Sequence, residues 1–224
     1  MSFRQLKKEV FKLLNREDFA DILPRFTGMP AKQVINPLFS FLYHAEDLVR
    51  WHAVSAMGLV TAELSENEME SARIIMRRLI WNLNDESGGI GWGSPEAMGD
   101  ILARSPKLAR EFAKILVSYS LPHGNYLEHE VLQRGLLWGL NRLSEADPQT
   151  THDATPHVRK FLNSKDPYHL GLAVCYAASV QDTKALPQIE QLTRNQTIIT
   201  HYKRLRVTQV TIRDLAREAI VTLS

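Results

Sequence analysis

With 224 residues and 44% hydrophobic content the chain can bury a sizeable core as one domain, and 27 basic against 25 acidic residues, a net charge of +2, leave no overall field that demands nucleic acid or an anionic membrane. The single cysteine, Cys175, excludes an internal disulfide and points to a reducing compartment. The opening stretch Met1 to Glu9 lacks the apolar core of a signal peptide and no later run is long enough to span a membrane, so a cytoplasmic protein without membrane contact is expected.

In chain order, Phe3, Leu6, Val10, Leu13 and Leu14 recur at helical spacing with Lys7, Lys8 and Lys12 between them, which predicts an amphipathic first helix. A second short helix over Asp18 to Phe26 ends before Gly28 and Pro30, and residues 1–29 together form an N-terminal cap. Residues 30–224 then read as five helical hairpins. Helix A of the first runs through Val34, Leu38, Phe41 and Leu42, helix B from Glu46 to about Leu64, and the next A helix from Asn67 to Leu83. Pro37, Pro156 and Pro187 sit inside or at the head of A helices. Pro37 and Pro156 lie 13 and 15 residues before Arg50 and Gly171, but Pro187 lies 26 before Arg213, so the last hairpin carries an insertion at 195–210. Its β-branched residues flank the basic run Lys203-Arg204-Leu205-Arg206, which predicts a β-hairpin covering the end of the final helix pair, with an anion contact at the turn as the alternative role.

The B helices share one template, apolar-Arg-x-x-Ala-Ala-x-Ala-Leu-Gly, clearest in Val49 to Gly58. Copies starting at Ile90, Leu132, Leu170 and Ile212 place the glycine position at Gly99, Asn141, Ser179 and Val221, with spacings of 41, 42, 38 and 42 residues. A period near forty with a small, apolar buried side predicts a right-handed all-α superhelix of stacked hairpins. Asp47, Val49, Arg50, Ala53, Ala56 and Gly58 resemble HEAT repeats, specifically the short HEAT-like type also present in phycobilisome lyases. The segment Gly88 to Gly99 resembles a small bacterial family of HEAT-like repeat proteins with no assigned reaction. Lyase chemistry is not carried over, because the shared residues are those that pack the repeat.

The variable template positions separate site from scaffold. The first holds Trp51, Trp92, Arg134, Leu172 and Asp214; the position four later, on the same helix face, holds Ser55, Glu96, Trp138, Tyr176 and Glu218. Three of the four tryptophans thus fall in two columns of the expected concave surface. Trp51, Ser55, Trp92, Glu96, Arg134, Trp138 and Tyr176 are therefore the candidate binding residues, since Trp, Tyr and Arg dominate binding hot spots. The same aromatics can instead fill gaps between repeats, with Glu96 and Arg134 bridged, and both readings stand at this level. The sixth helix is expected to start late, with Ser94 as N-cap and Pro95 as its first residue, leaving a glycine-rich loop from Asp85 to Gly93 that brings Trp92 to the groove mouth.

Neither the His123, Glu128, His129, Glu130 cluster nor His152, Asp153, His157 has metal-ligand or hydrolase spacing, so no cofactor, metal or catalytic residue is expected. The leading function is a scaffold holding a protein segment or peptide in the concave groove. The alternative is an enzyme in that groove, lyase-like or DNA-glycosylase-like, with Glu96 as its acid. Nucleic acid is disfavoured because the two columns hold one Arg against Asp214, Glu96 and Glu218.

Overall fold

The computed structural model describes residues 2–84 and 91–224. Helix α1 (Phe3–Leu14) opens on a capping box between Ser2 and Gln5 and buries Leu6, Val10 and Leu14. Phe3, on the same expected stripe, is 60% exposed and shares a shallow apolar basin with Phe11 and Phe41. The four-residue α2 (Phe19–Ile22) continues as a 3-10 turn to Phe26, and Phe19 lies flat on His52, centroids 3.8 Å apart.

Among the described residues, four α-helical A segments and one broken one then alternate with five B helices. The pairs are α3 (Ala31–Phe41) with α4 (Asp47–Asn67), α5 (Met69–Asn84) with α6 (Ser94–Arg104), and α7 (Pro106–Ser118) with α8 (Glu130–Ala146). In the fourth pair the A side is a 3-10 turn (Pro148–Ala154), the short α9 (Thr155–Val158) and another 3-10 turn (Arg159–Asn163), followed by α10 (Pro167–Ser179). Here Pro148 and Pro156 each start a new short element, so no continuous helix forms. The fifth pair is α11 (Leu186–Leu192) and α12 (Ile212–Leu223). The B helices touch in series, α4 to α6 to α8 to α10 to α12, and this all-α armadillo-like superhelix carries one antiparallel hairpin near its C-terminus. No helix among the described residues is long and apolar enough to cross a membrane.

Small residues set the helix spacing. A Cβ on Gly99 would lie 2.3 Å from the Cα of Gly139, so α6 and α8 meet backbone to backbone. Gly58 of α4 leaves room for the Asp100 carboxylate, and Ser179 of α10 donates to Asn141 of α8 at 3.1 Å. Asp100, almost wholly buried, accepts from Arg104 on its own helix at 2.7 Å and from Arg142 of α8 at 2.8 Å, which ties neighbouring repeats together.

The insertion forms β1 (Ile198–Lys203) and β2 (Arg206–Thr211), joined by Arg204 and Leu205, both at positive φ as a tight two-residue hairpin turn requires. Its position differs from expectation. Rather than covering only the last helix pair, the hairpin runs back along the concave face to the first B helix. Gly171, without a side chain, admits Ile199 against α10, and Tyr202 is clamped between α4 and α8.

Candidate functional site

Tyr202 organises the concave face. Its ring stacks on Trp51 with centroids 5.0 Å apart at 13°, its hydroxyl shares a 2.8 Å hydrogen bond with Ser55, and its carbonyl accepts from the Trp138 indole at 3.0 Å. Trp51 and Trp138 also meet at 4.9 Å. Trp51 and Trp138 therefore converge, with Tyr202 of the hairpin packed on both and no open groove between them. What remains beside the hairpin is a recess of about 270 Å³ between α4, α6, α8, the start of α10 and β1. Trp51, Trp92, Glu96, Arg134 and Trp138 all reach it, joined by Arg50, Tyr168, Leu172 and His201.

Its electrostatics centre on Glu96. This residue sits in the first turn of α6, whose preceding residue Gly93 adopts φ +77 and lies so close to the Leu42 carbonyl that a side chain would strike it. The Glu96 Oε2 is buried without a hydrogen-bond partner, and burial pushes the carboxyl up to about 6, partly offset by a bond from its own backbone N–H and by the charge of Arg50. On the facing helix, Gly135 leaves the space that the carboxylate fills: a Cβ there would stand 2.4 Å from Oε2. The two arginines do not pair with Glu96. Arg50 binds Asp47 at 2.7 Å, while Arg134 binds the buried Asp166 at 2.6 Å and lies over the Tyr168 ring at 4.7 Å. The Glu96–Arg134 bridge of the packing alternative does not form; Arg134 instead bridges to Asp166, the N-cap of α10.

Other expectations need correction. Tyr176 does not face the recess; it is buried on the A side, where its hydroxyl donates to the Thr151 carbonyl at 2.7 Å. The broken A segment leaves a gap there that an aromatic ring fills. Ser55 is likewise enclosed, 2% exposed beneath Tyr202. Trp92 is 41% exposed at the rim, whereas Trp138 is 5% exposed. The N-cap of α6 is Gly93 and not Ser94, whose hydroxyl is buried without a partner. Of the glycine-rich loop, residues 85–90 lie outside the described residues. Cys175 lines a smaller recess 4.0 Å from His201, and burial pushes its thiol up to about 12, which leaves it a poor nucleophile. Nothing in the sequence marks Tyr202, Tyr168 or Gly135 as site residues: turn chemistry makes the hairpin legible, but nothing local says where it docks.

Across the hairpin lies a second, polar recess of about 390 Å³ edged by Arg104, Arg142, Lys203 and Arg204 together with Asp100 and Glu145. Asp100 holds two of these cations, and Lys203 binds Glu218 at 3.2 Å. Among the described residues no group of three or more His, Cys, Asp or Glu is placed to hold a metal ion. His129 instead caps α8, accepting from the Val131 N–H.

No family model matches the chain. An uncharacterised protein of Archaeoglobus fulgidus is 25% identical over 186 residues, covering 81% of this chain and 92% of that protein. Among solved structures, a designed armadillo repeat protein in complex with peptide (KR)4 superposes with a TM-score of 0.54 at 17% identity, covering 96% of this chain and 98% of its own. A second designed armadillo repeat protein gives 0.53 at 16% identity, with 96% and 99% covered. These likenesses are of fold, and the chain is a helical repeat protein of that architecture.

Proposed function

We propose that the chain is a protein- or peptide-binding repeat scaffold whose binding surface is the recess left beside the hairpin, not a full-length groove. The observation that carries this reading is the buried, unpartnered Glu96 oxygen among aromatic walls, because a scaffold built only for stability would pair or remove that charge. A designed repeat protein of similar fold holds a peptide, which supports the class of function at the level of architecture alone. The HEAT-like kinship of the repeat residues adds no chemistry of its own. Selection from a displayed peptide library tests the reading: enrichment on the native protein should be lost on Trp92→Ala, a rim residue whose truncation spares the core. Failure to enrich any sequence, or enrichment indifferent to Trp92, would overturn it.

A second reading, an enzyme acting in the same recess with Glu96 as general acid, draws on a carboxyl pushed up to about 6. In a DNA-glycosylase-like version the cations across the hairpin would meet phosphates, and salt-dependent binding of duplex DNA lost in Lys203→Gln with Arg204→Gln, which leaves the arginines that hold Asp100 in place, would favour it over the scaffold.

A further inference from the structure

Resting on the scaffold reading, we propose that the recess takes a single guanidinium group, an arginine side chain of the bound segment, ion-paired to Glu96 and flanked by aromatic rings. The charges around the recess leave room for one cation. Arg50 and Arg134 each have their own carboxylate, Asp47 and Asp166, so the charge left without a partner is that of Glu96. His201, held below the ordinary imidazole range by burial, adds no positive charge near neutral pH. An anion is thereby disfavoured. A divalent metal needs several oxygen ligands, whereas the recess is lined by two carboxylates, Asp47 and Glu96, of which Asp47 is already paired with Arg50.

Between organic cations the walls decide. An ammonium is compact and strongly hydrated, while guanidinium is flat, weakly hydrated and stacks on aromatic faces. The protein already uses that contact twice at this site, placing Arg134 over Tyr168 at 4.7 Å and Arg50 over Trp51 at 5.9 Å. A third guanidinium entering past the half-exposed Trp92 would meet the same kind of surface and find the carboxylate at its base, held against Gly135.

The test is a tryptophan-fluorescence titration in a Trp81→Phe background, since Trp81 is exposed on α5 and does not line the recess. The probes are N-acetyl-arginine methylamide and its citrulline counterpart, which has nearly the same shape and no charge. Saturable quenching is expected with arginine and not with citrulline, weaker by about tenfold or more in Glu96→Gln. Affinity should also fall below about pH 6 in the native protein as Glu96 takes up its proton. Asp47 and Arg50 from α4, Arg134 from α8 and His201 from β1 line the same space and persist in Glu96→Gln, so the part of the pH dependence that disappears in that variant belongs to Glu96. Equal binding of the two probes, or no saturation by arginine, would overturn the inference on the unmodified protein whatever the variant's stability. Library peptides that keep binding after every arginine is replaced by citrulline would overturn it and leave the scaffold reading standing. Arginine binding with no enriched peptide would uphold the inference and overturn the scaffold reading alone.

Discussion

An ionised carboxylate at position 96 works against the fold. Its pKa is pushed up to about 6 in the native state, above the ordinary glutamate value of about 4.3, so the folded protein holds the proton more tightly than the unfolded chain. Stability from this group is present below the unfolded value and is lost as pH rises through about 6. Glu96→Gln should therefore raise stability by about 1–2 kcal/mol near pH 8 and by little near pH 4. Denaturant titrations at the two pH values check this, and equal gains at both would mean that charge is not the cause. Gly99 and Gly139 make a second case at this scale. Because their backbones meet, Gly99→Ala should cost about 1–3 kcal/mol through overpacking despite alanine's better helix propensity. An unchanged melting temperature would argue that α6 and α8 do not approach so closely.

Among the elements the hairpin contributes most to the site. Tyr202 is 3% exposed and joins α4 to α8 through one ring, one hydroxyl and one carbonyl. Tyr202→Phe should cost about 1 kcal/mol, the worth of the bond to Ser55, and Tyr202→Ala about 3–5 kcal/mol. In the alanine variant the emission of Trp51 and Trp138 should shift to longer wavelength while far-ultraviolet circular dichroism keeps its helical signal. A helical signal that falls together with the emission shift would mean that the hairpin holds up the stack itself and not only its concave face.

For the whole molecule, a solenoid whose repeats touch only their neighbours can unfold piecemeal, but here residue 202 is bonded to residue 55 and ties the last repeat to the first. Fluorescence and circular dichroism should give coincident unfolding transitions in the native protein, separating in Tyr202→Ala. Acid should act on the same assembly. His52, His157, His169 and His201 are all held below the ordinary imidazole range, chiefly by burial, so their contribution is complete above about pH 6.5 and is lost as pH falls from there. Glu96 acts in the opposite sense, but four groups stand against one, and calorimetry should show the melting temperature falling between about pH 7 and pH 5. A flat or rising profile would show that the imidazoles accept protons inside the fold.

The all-α repeat fold and the existence of the hairpin were determined by the sequence alone, since each is written in a local period or in turn chemistry. The columns Trp51, Trp92 and Glu96, Arg134, Trp138 could be drawn together because residues at matching template positions lie on matching helix faces. Tertiary structure decided the rest. That Tyr202 covers Ser55, that Arg134 chooses Asp166 over Glu96, and that Tyr176 turns to the A side depend on which surfaces remain unfilled once the helices have stacked. Such contacts join residues 147, 32 and 25 positions apart, and no repeat period encodes them: burial and charge pairing select the partner only when the whole concave face exists.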